Sequence, residues 1–334
     1  MFTIYAPDLT PLGLIENYRS MQWTRRYSKA GQFELHLPMN NLLVPENIVR
    51  NGNEAAVIES VTITSTMEGG IMAAVRGRFL TSYLDRRIIW GLMAMSDTAE
   101  NIMRSIVTNN LRGLPLTVAE PLGYTGTIDY QNSYGNVLAE IAAIAEMSEL
   151  GIAVGFDRVF RVYKGLDRTA SQSSNPRAVF SRNFENVLGS EYAVEMLNHK
   201  NVVLVGGQGE GVDRMLITVG NETGLNRRET FVDARDIGNG TAEEPISVAT
   251  QHAMLAVRGQ QTLAELKVSE SFTADVDPNG NLKYRADYDL GDIVTVIDMG
   301  LRTDARITEI KEVYENGGMR LELTLGYERV IKFG

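Results

Sequence analysis

The chain has 334 residues, of which 44% are hydrophobic and 22% charged, with a formal net charge of −10 and no cysteine. That length accommodates about two domains of ~100–200 residues and a sizeable core, and the composition is that of a folded protein. The lack of cysteine excludes disulfides, thiolate nucleophiles and Cys-ligated zinc. The acidic balance argues against nucleic acid as a principal partner, because affinity for phosphates comes from clustered Lys and Arg. The pairs Arg25-Arg26, Arg86-Arg87 and Arg227-Arg228 are too short to form such a footprint. Residues 1–6 lack a basic segment followed by a long apolar one, and no window approaches the ~20 apolar residues of a membrane span. A soluble chain without a membrane span is expected.

Residues 2–5 read as a short strand, 7–10 as a turn and 12–18 as a second strand. Residues 20–38 read as a hairpin. In its second arm Phe33, Leu35 and Leu37 alternate with Glu34 and His36, the period of a half-buried strand. In its first arm Met21 and Trp23 share a face ahead of Arg25-Arg26, with Gly31 closing a wide turn. The segment to residue 52 carries Asn40-Asn41, Pro45 and Asn51-Gly52 and reads as loop or a single helical turn. Residues 55–64 and 71–79 form a second hairpin across Met67-Glu68-Gly69-Gly70. A small antiparallel β module, closed or nearly closed to protect its edges, is expected.

The period then changes. Asp97 with Glu100 forms a capping box, and Ile102, Met103, Ile106 and Val107 recur at helical spacing, so residues 98–110 read as a helix. A second helix is expected over 134–150, started by Ser133 and capped by Gly151. Short strands are expected at 116–118, 125–130, 152–156 and 160–163, the last two as a hairpin over Asp157-Arg158, followed by a polar boundary at 169–176.

Strands resume at 202–205 and 215–219 around Gly206-Gly207-Gln208-Gly209-Glu210-Gly211, and residues 221–241 form a polar stretch able to project or to order on assembly. Residues 247–266 read as a third helix, weakened by Gly259 at ~1 kcal/mol relative to Ala. Strands follow at 265–274, 282–288, 293–297, 305–314 and 319–327, with turns at Asp277-Pro278-Asn279-Gly280 and Asn316-Gly317-Gly318. The expected fold class is α+β, predominantly antiparallel β, with barrel-like β modules at the two ends and α+β and helical insertions between them. The divisions expected are 1–92 and 93–175, then 176–225 and 264–334 as two parts of a second β module around a loop-and-helix insertion at 226–263.

No chemistry-bearing motif survives its context. The glycine run leads into a strand rather than opening a helix or ending in Gly-Lys-Ser/Thr, which makes it a β connection rather than a phosphate cradle. Asp275 to Gly280 imitates half of an EF-hand, but the position that needs a bidentate Glu is Ala286. His36, His199 and His252 are isolated, there is no Gly-x-Ser-x-Gly elbow, and Glu243-Glu244 reads as a solvated pair. A carboxylate pair for glycoside cleavage stays open at this level. No cofactor, metal or catalytic residue is expected. The aromatics Trp23, Trp90, Tyr27 and Phe33 are core by default, with a carbohydrate platform or a protein interface as alternatives. Arginines beside Trp23 favour the interface.

The run Trp23, Arg25, Tyr27, Gly31, Phe33, Glu34, Leu35 resembles the opening of siphophage tail-hub proteins, baseplate proteins at the distal end of the tail tube. Similar features are Gly77-Arg78-Phe79-Leu80 with Leu84-Asp85-Arg86-Arg87, then Val205-Gly206-Gly207 leading to Gly211-Val212-Asp213-Arg214, then Leu290-Gly291-Asp292-Ile293-Val294. The resemblance rests on their order and spans most of the chain. It implies a non-enzymatic virion protein of the tail tip that continues the tail tube, joins it to the baseplate or tail fibres and lines part of the channel for DNA, which passes without specific binding. The implied partners are further copies in a homotrimer, the distal tail, tail tube and tape-measure proteins, and tail fibre or receptor-binding proteins. Trp23, Arg25, Arg26, Tyr27, Phe33, Arg86 and Arg87 are the expected interface residues. Two rivals are a host-surface carbohydrate-binding tail module and a tail-associated cell-wall hydrolase. The end of the chain at Gly334, without an appended domain, is expected to weigh against the hydrolase.

Overall fold

Alternating and helical segments combine in an α+β architecture that is mostly antiparallel β, 46% strand and 18% helix, the expected class. The computed structural model describes residues 2–66, 70–238, 240, 245–315 and 317–326. The turn at 67–69, the Glu243-Glu244 pair, Asn316 and Tyr327 lie outside the described residues. Two compact units are present: Met1–Ser82 with Gly151–Ala193 and Glu270–Gly334, and Tyr83–Leu150 with Val194–Ser269.

In the first unit the strands run as an open path rather than a closed barrel, with Ile293–Asp298 and then Val179–Ser181 branching from Leu301–Glu315. The order is Val187–Glu195, Ser269–Val276, Gly318–Gly326, Leu301–Glu315, Ser20–Arg26, Gln32–Pro38, Gly70–Phe79, Glu54–Thr66, Ile48–Asn51, Phe2–Tyr5 and Pro11–Ile15. The expected hairpin at 20–38 is present, with Trp23 opposite Phe33 and Met21 opposite Leu35. Alternation does what it promised: Phe33, Leu35 and Leu37 are buried while Glu34 and His36 are partly open. Trp23 lies 4.5 Å from Phe79 and 5.9 Å from Phe33, ring centre to ring centre.

The other edge of Ser20–Arg26 pairs antiparallel with Leu301–Glu315, Arg26 opposite Glu309 and Ser20 opposite Glu315. This seam joins strands from the two ends of the sequence into one path. Two apolar cores flank it, one around Trp23, Leu35, Ile58 and Val75, the other around Phe180, Phe272, Tyr288 and Leu323.

The second unit holds three helices, Ala99–Asn109 (α1), Val137–Met147 (α2) and Val248–Glu265 (α3). A ribbon pairs Leu92–Thr98 with Thr127–Ser133, and a small sheet runs in the order Leu216–Val219, Val202–Gly206, Glu229–Asp233. Val203, Val205, Ile217 and Val219 from this sheet pack with Met254 and Leu255 of α3. Gly259 is explained by that packing. A Cβ there would stand 2.6 Å from Val219 Cγ2 and 3.0 Å from Val205 Cγ2, so its helix-propensity cost is accepted for close approach of helix and sheet.

Several local expectations are corrected. Residues 48–51 are a strand rather than loop, and 92–98, 187–195 and 229–233 are strands that went unread. α1 is capped by Thr98, whose side chain accepts the Asn101 N–H, and Asp97 instead binds Thr98 N and Asn101 Nδ2. α2 is capped by Asn136 rather than Ser133 and ends at Ser148 rather than Gly151. Residues 282–288 form turns with a single bridge between Tyr284 and Tyr288, not a strand, because their carbonyls and side chains close short local loops through Lys283, Arg285 and Asp287.

Candidate functional site

A cluster of charged side chains lies on the seam of the first unit. Along Ser20–Arg26 the inward face reads Met21, Trp23, Arg25, and opposite it on Leu301–Glu315 stand Tyr314, Glu312 and Ile310. Ile310 belongs to one core and Trp23 to the other, so Glu312 and Arg25 sit where the two meet. Arg25 pairs with Glu54 and Asp289, and Trp23 Nε1 donates to Glu54 Oε2 at 2.8 Å. Glu312, 1% exposed, accepts from Arg285 Nη2 at 2.9 Å, Tyr284 OH at 2.8 Å, Tyr314 OH at 2.6 Å and Asn51 Nδ2 at 3.2 Å. Burial alone would push the Glu312 carboxyl up, but the bonds from Tyr314 and Arg285 outweigh it and hold it below the usual range. Tyr284 is pushed up, chiefly by burial.

Three carboxylates therefore face two guanidiniums in one network, buried at Glu312 and open to solvent at Asp289 and Arg285. A general acid or nucleophile needs an oxygen free to reach substrate. Both oxygens of Glu312 already hold donors, and Glu54 is clasped by Arg25, Arg285 and Trp23. What this arrangement does is clamp the register of two strands distant in sequence.

The residues singled out from the sequence divide by burial. Trp23, Tyr27 and Phe33 are at most 3% exposed and belong to the cores. Arg25 is in the seam, and Arg26 pairs with Glu309 at 2.8 Å. In the second unit Arg86 is exposed with its guanidinium 4.6 Å from the Tyr83 ring centre. Arg87 donates to the carbonyls of Leu111, Arg86 and Arg112. Trp90, core by default in the sequence, is 75% exposed.

Two carboxylates in the second unit take roles that the sequence did not indicate. Glu100 of α1 turns away from the helix end and accepts the N–H groups of Leu122, Gly123 and Tyr124 at 2.6, 2.9 and 3.0 Å, fixing that loop. Glu140 of α2 accepts from Tyr130 OH at 3.1 Å, beside the Arg258–Asp236 pair at 2.9 Å. Burial raises the Glu140 carboxyl above its ordinary range, against the pull of Arg258 and the Tyr130 bond. The folded chain thus keeps a proton that the unfolded chain releases near pH ~4.3. Glu140 stabilises most fully below that value, and its contribution falls as pH rises through the folded value. Glu140→Gln is expected to remove this slope and to make the unit more stable at neutral pH than the parent. Urea unfolding of both chains at pH 5 and 7, followed by exchange protection of α2 corrected for intrinsic rate, reads it; an unchanged slope refutes the assignment.

The imitation sites are filled by the chain itself. Arg214 Nε and Nη2 donate to the Gly207 and Gly206 carbonyls at 3.0 and 2.8 Å, so the glycine connection turns acceptors inward where an anion needs N–H donors. At the Asp-rich turn the Lys283 ammonium donates to the Asn279 and Gly280 carbonyls at 3.1 and 2.8 Å. Among the described residues no group of three or more His, Asp or Glu could hold a metal ion. No described helix is long and apolar enough to cross a membrane.

Comparison with solved structures gives the same fold over nearly the whole chain. A tail protein from Neisseria meningitidis MC58 has a TM-score of 0.59 at 16% identity, covering 98% of this chain and 96% of that one. The prophage tail protein gp18 from Listeria monocytogenes EGD-e has a TM-score of 0.58 at 13% identity, covering 98% and 94%. The 43 kDa tail protein of prophage MuSo2 from Shewanella oneidensis has a TM-score of 0.57 at 15% identity, covering 97% of each. No curated protein matches the chain. The expected kinship with siphophage tail proteins is met by fold and, through a match over residues 1–327, by family: the chain belongs to the siphovirus ReqiPepy6 Gp37-like protein family.

Proposed function

We propose that the chain is a structural tail-tip hub, a homotrimeric ring that continues the tail tube, connects it to the baseplate or tail fibres and borders the channel through which DNA leaves without specific binding. The observation that carries this reading is one sheet spanning two cores, whose main path ends at Pro11–Ile15 and Val187–Glu195, with Ile293–Asp298 and Val179–Ser181 as a side branch. Tail tubes, as the family resemblance implies, are sixfold; three chains with two β halves each meet such a ring without mismatch. The terminal strands Pro11–Ile15 and Val187–Glu195 leave Leu12, Leu14, Leu188 and Val194 exposed at 38, 45, 65 and 43%. Uncovered strand edges with apolar side chains favour pairing with another chain, and closure of a ring covers both. The distal tail, tube and tape-measure proteins and the tail fibres are the proposed neighbours.

Light scattering over micromolar concentrations, alone and with adjoining tail proteins, is expected to give three times the chain mass. A persistent monomer, or a hexamer using one β half per chain, rejects the ring. No wall hydrolysis is expected, since the seam carboxylates Glu54 and Glu312 are clamped by their donors. Zymography on bacterial cell walls checks this, and a lytic band abolished by one Asp or Glu substitution would contradict it.

A further inference from the structure

One surface of the second unit gathers exposed apolar and cationic groups that the fold leaves unused. Trp90 is 75% exposed and Tyr134 69%, with Leu92 at 52% and Ile88 at 39%. They stand on two paired stretches of chain. The Tyr134 N–H donates to the Ile89 carbonyl at 3.0 Å, the Ile89 N–H donates to the Gly135 carbonyl at 2.8 Å, and Leu92 is the register partner of Ser133. A single exposed apolar residue is ordinary, whereas four together with two aromatics among them mark an interaction surface.

The surface is built on a rigid base. Asn110 is 4% exposed, and its Oδ1 accepts both the Trp90 N–H and Arg112 Nη1 at 3.0 Å, while its Nδ2 donates to the Ile106 carbonyl of α1 at 2.8 Å. One buried amide thereby fixes the tryptophan backbone and sets the Arg112 guanidinium 5.4 Å from the Trp90 ring centre. Tyr134 has a φ of 62°, a left-handed conformation that bulky side chains rarely adopt and that surrounding structure must enforce.

The charge of this surface runs against that of the chain. Arg87 donates to the carbonyls of Leu111, Arg86 and Arg112, and Arg112 donates to Asn110 and to the Ile88 carbonyl. Among the described residues neither forms an ion pair, in a chain of net charge −10. Asp85, close in sequence, accepts from Asn136 Nδ2 at 3.0 Å.

We infer that this face docks an acidic segment of another protein of the tail. Carboxylates complement the two arginines, and the aromatic and aliphatic centre excludes water around them. Trp, Tyr and Arg are the side chains that dominate protein contacts when truncated. A saccharide site needs a concave surface with converging donors and acceptors. Here the centre of the face is apolar, Ile88 and Leu92 adding aliphatic area beside Trp90 and Tyr134 rather than converging polar groups, while each guanidinium keeps N–H groups beyond those bonded to the chain. The inference rests on family membership and not on the threefold ring; the mass of the assembly reads one, and the oxidation of Trp90 reads the other.

The chain has two tryptophans, and Trp23 is fully buried, so radical oxidation of tryptophan reports on Trp90. Hydroxyl-radical footprinting with mass spectrometry is expected to show Trp90 oxidised about fivefold more slowly in assembled tails than in the free chain. Arg112→Glu, with its fold checked by circular dichroism, is expected to enter tails about tenfold less well than the parent, while Arg112→Lys enters normally. Equal oxidation of Trp90 in tails and free chain overturns the proposal, as does normal incorporation of the folded Glu variant. Protection that arises only when purified wall polysaccharide is added to finished tails also overturns it and assigns the face to an anionic glycan.

Discussion

Glu312→Ala is expected to lower the unfolding free energy by about 3 kcal/mol, because it removes the buried acceptor of Tyr284, Tyr314 and Asn51 and leaves Arg285, which is partly exposed, with Glu54 alone. The reason is asymmetry. A buried ion network can be nearly neutral against a well-packed apolar replacement, whereas removing one partner strands the rest in a medium that cannot solvate them. Glu312→Gln keeps the shape and two acceptors' worth of oxygen and should lose less, with the deficit concentrated at neutral pH. Since the folded carboxyl lies below its ordinary range, the parent loses this stabilisation as pH falls from the unfolded value near ~4.3 through the folded one. Urea unfolding at pH 7 and pH 3.5 measures both effects. A loss below about 1 kcal/mol for the Ala variant would mean that the seam is held by apolar packing and strand pairing alone.

Gly77→Ala is expected to be strongly damaging to the first unit. Its Cβ would stand 1.9 Å from the Val57 carbonyl oxygen and 2.7 Å from Phe33 Cε1. The first of these is backbone in a neighbouring strand, so no side chain can turn aside. Glycine inside a strand ordinarily weakens it, and its presence marks close approach of another chain segment. Here the register slips by one residue between Ile58 and Ser60, beside the pairing of Gly77 with Ile58, which brings the two strands together. The variant should lose about 3 kcal/mol or more, or fail to accumulate as folded protein. Gly52→Ala is the control: that turn has a φ of 60° with nothing within 4 Å of the added carbon, so about 1–2 kcal/mol of backbone cost is all that is expected. Thermal unfolding of the two side by side separates clash from backbone strain. Equal shifts in midpoint would refute the close-approach account.

Local sequence determined individual strands and helices of this protein and which active-site motifs its sequence does not spell. The alternation of Phe33, Leu35 and Leu37 placed one strand face inward, the spacing of Ile102, Met103, Ile106 and Val107 placed α1, and the absence of cysteine with the context of the glycine run removed whole classes of active site. These are properties of residues within one turn or one strand, where geometry is set by covalent connection. Tertiary structure alone decided which strands are neighbours. That Ser20–Arg26 would be bordered by Leu301–Glu315 has no local signal, because period-2 alternation records which side chains share a face and not what lies beside the strand. The same limit explains the charged residues. Arg25, Glu54, Asp289 and Glu312 look like surface charges one at a time and become one network around the buried Glu312 only when four segments converge. It also separates the two tryptophans: Trp23 is enclosed because both edges of its strand are paired between two cores, and Trp90 stands open because it lies two residues before the first strand residue of its ribbon, outside the paired segment.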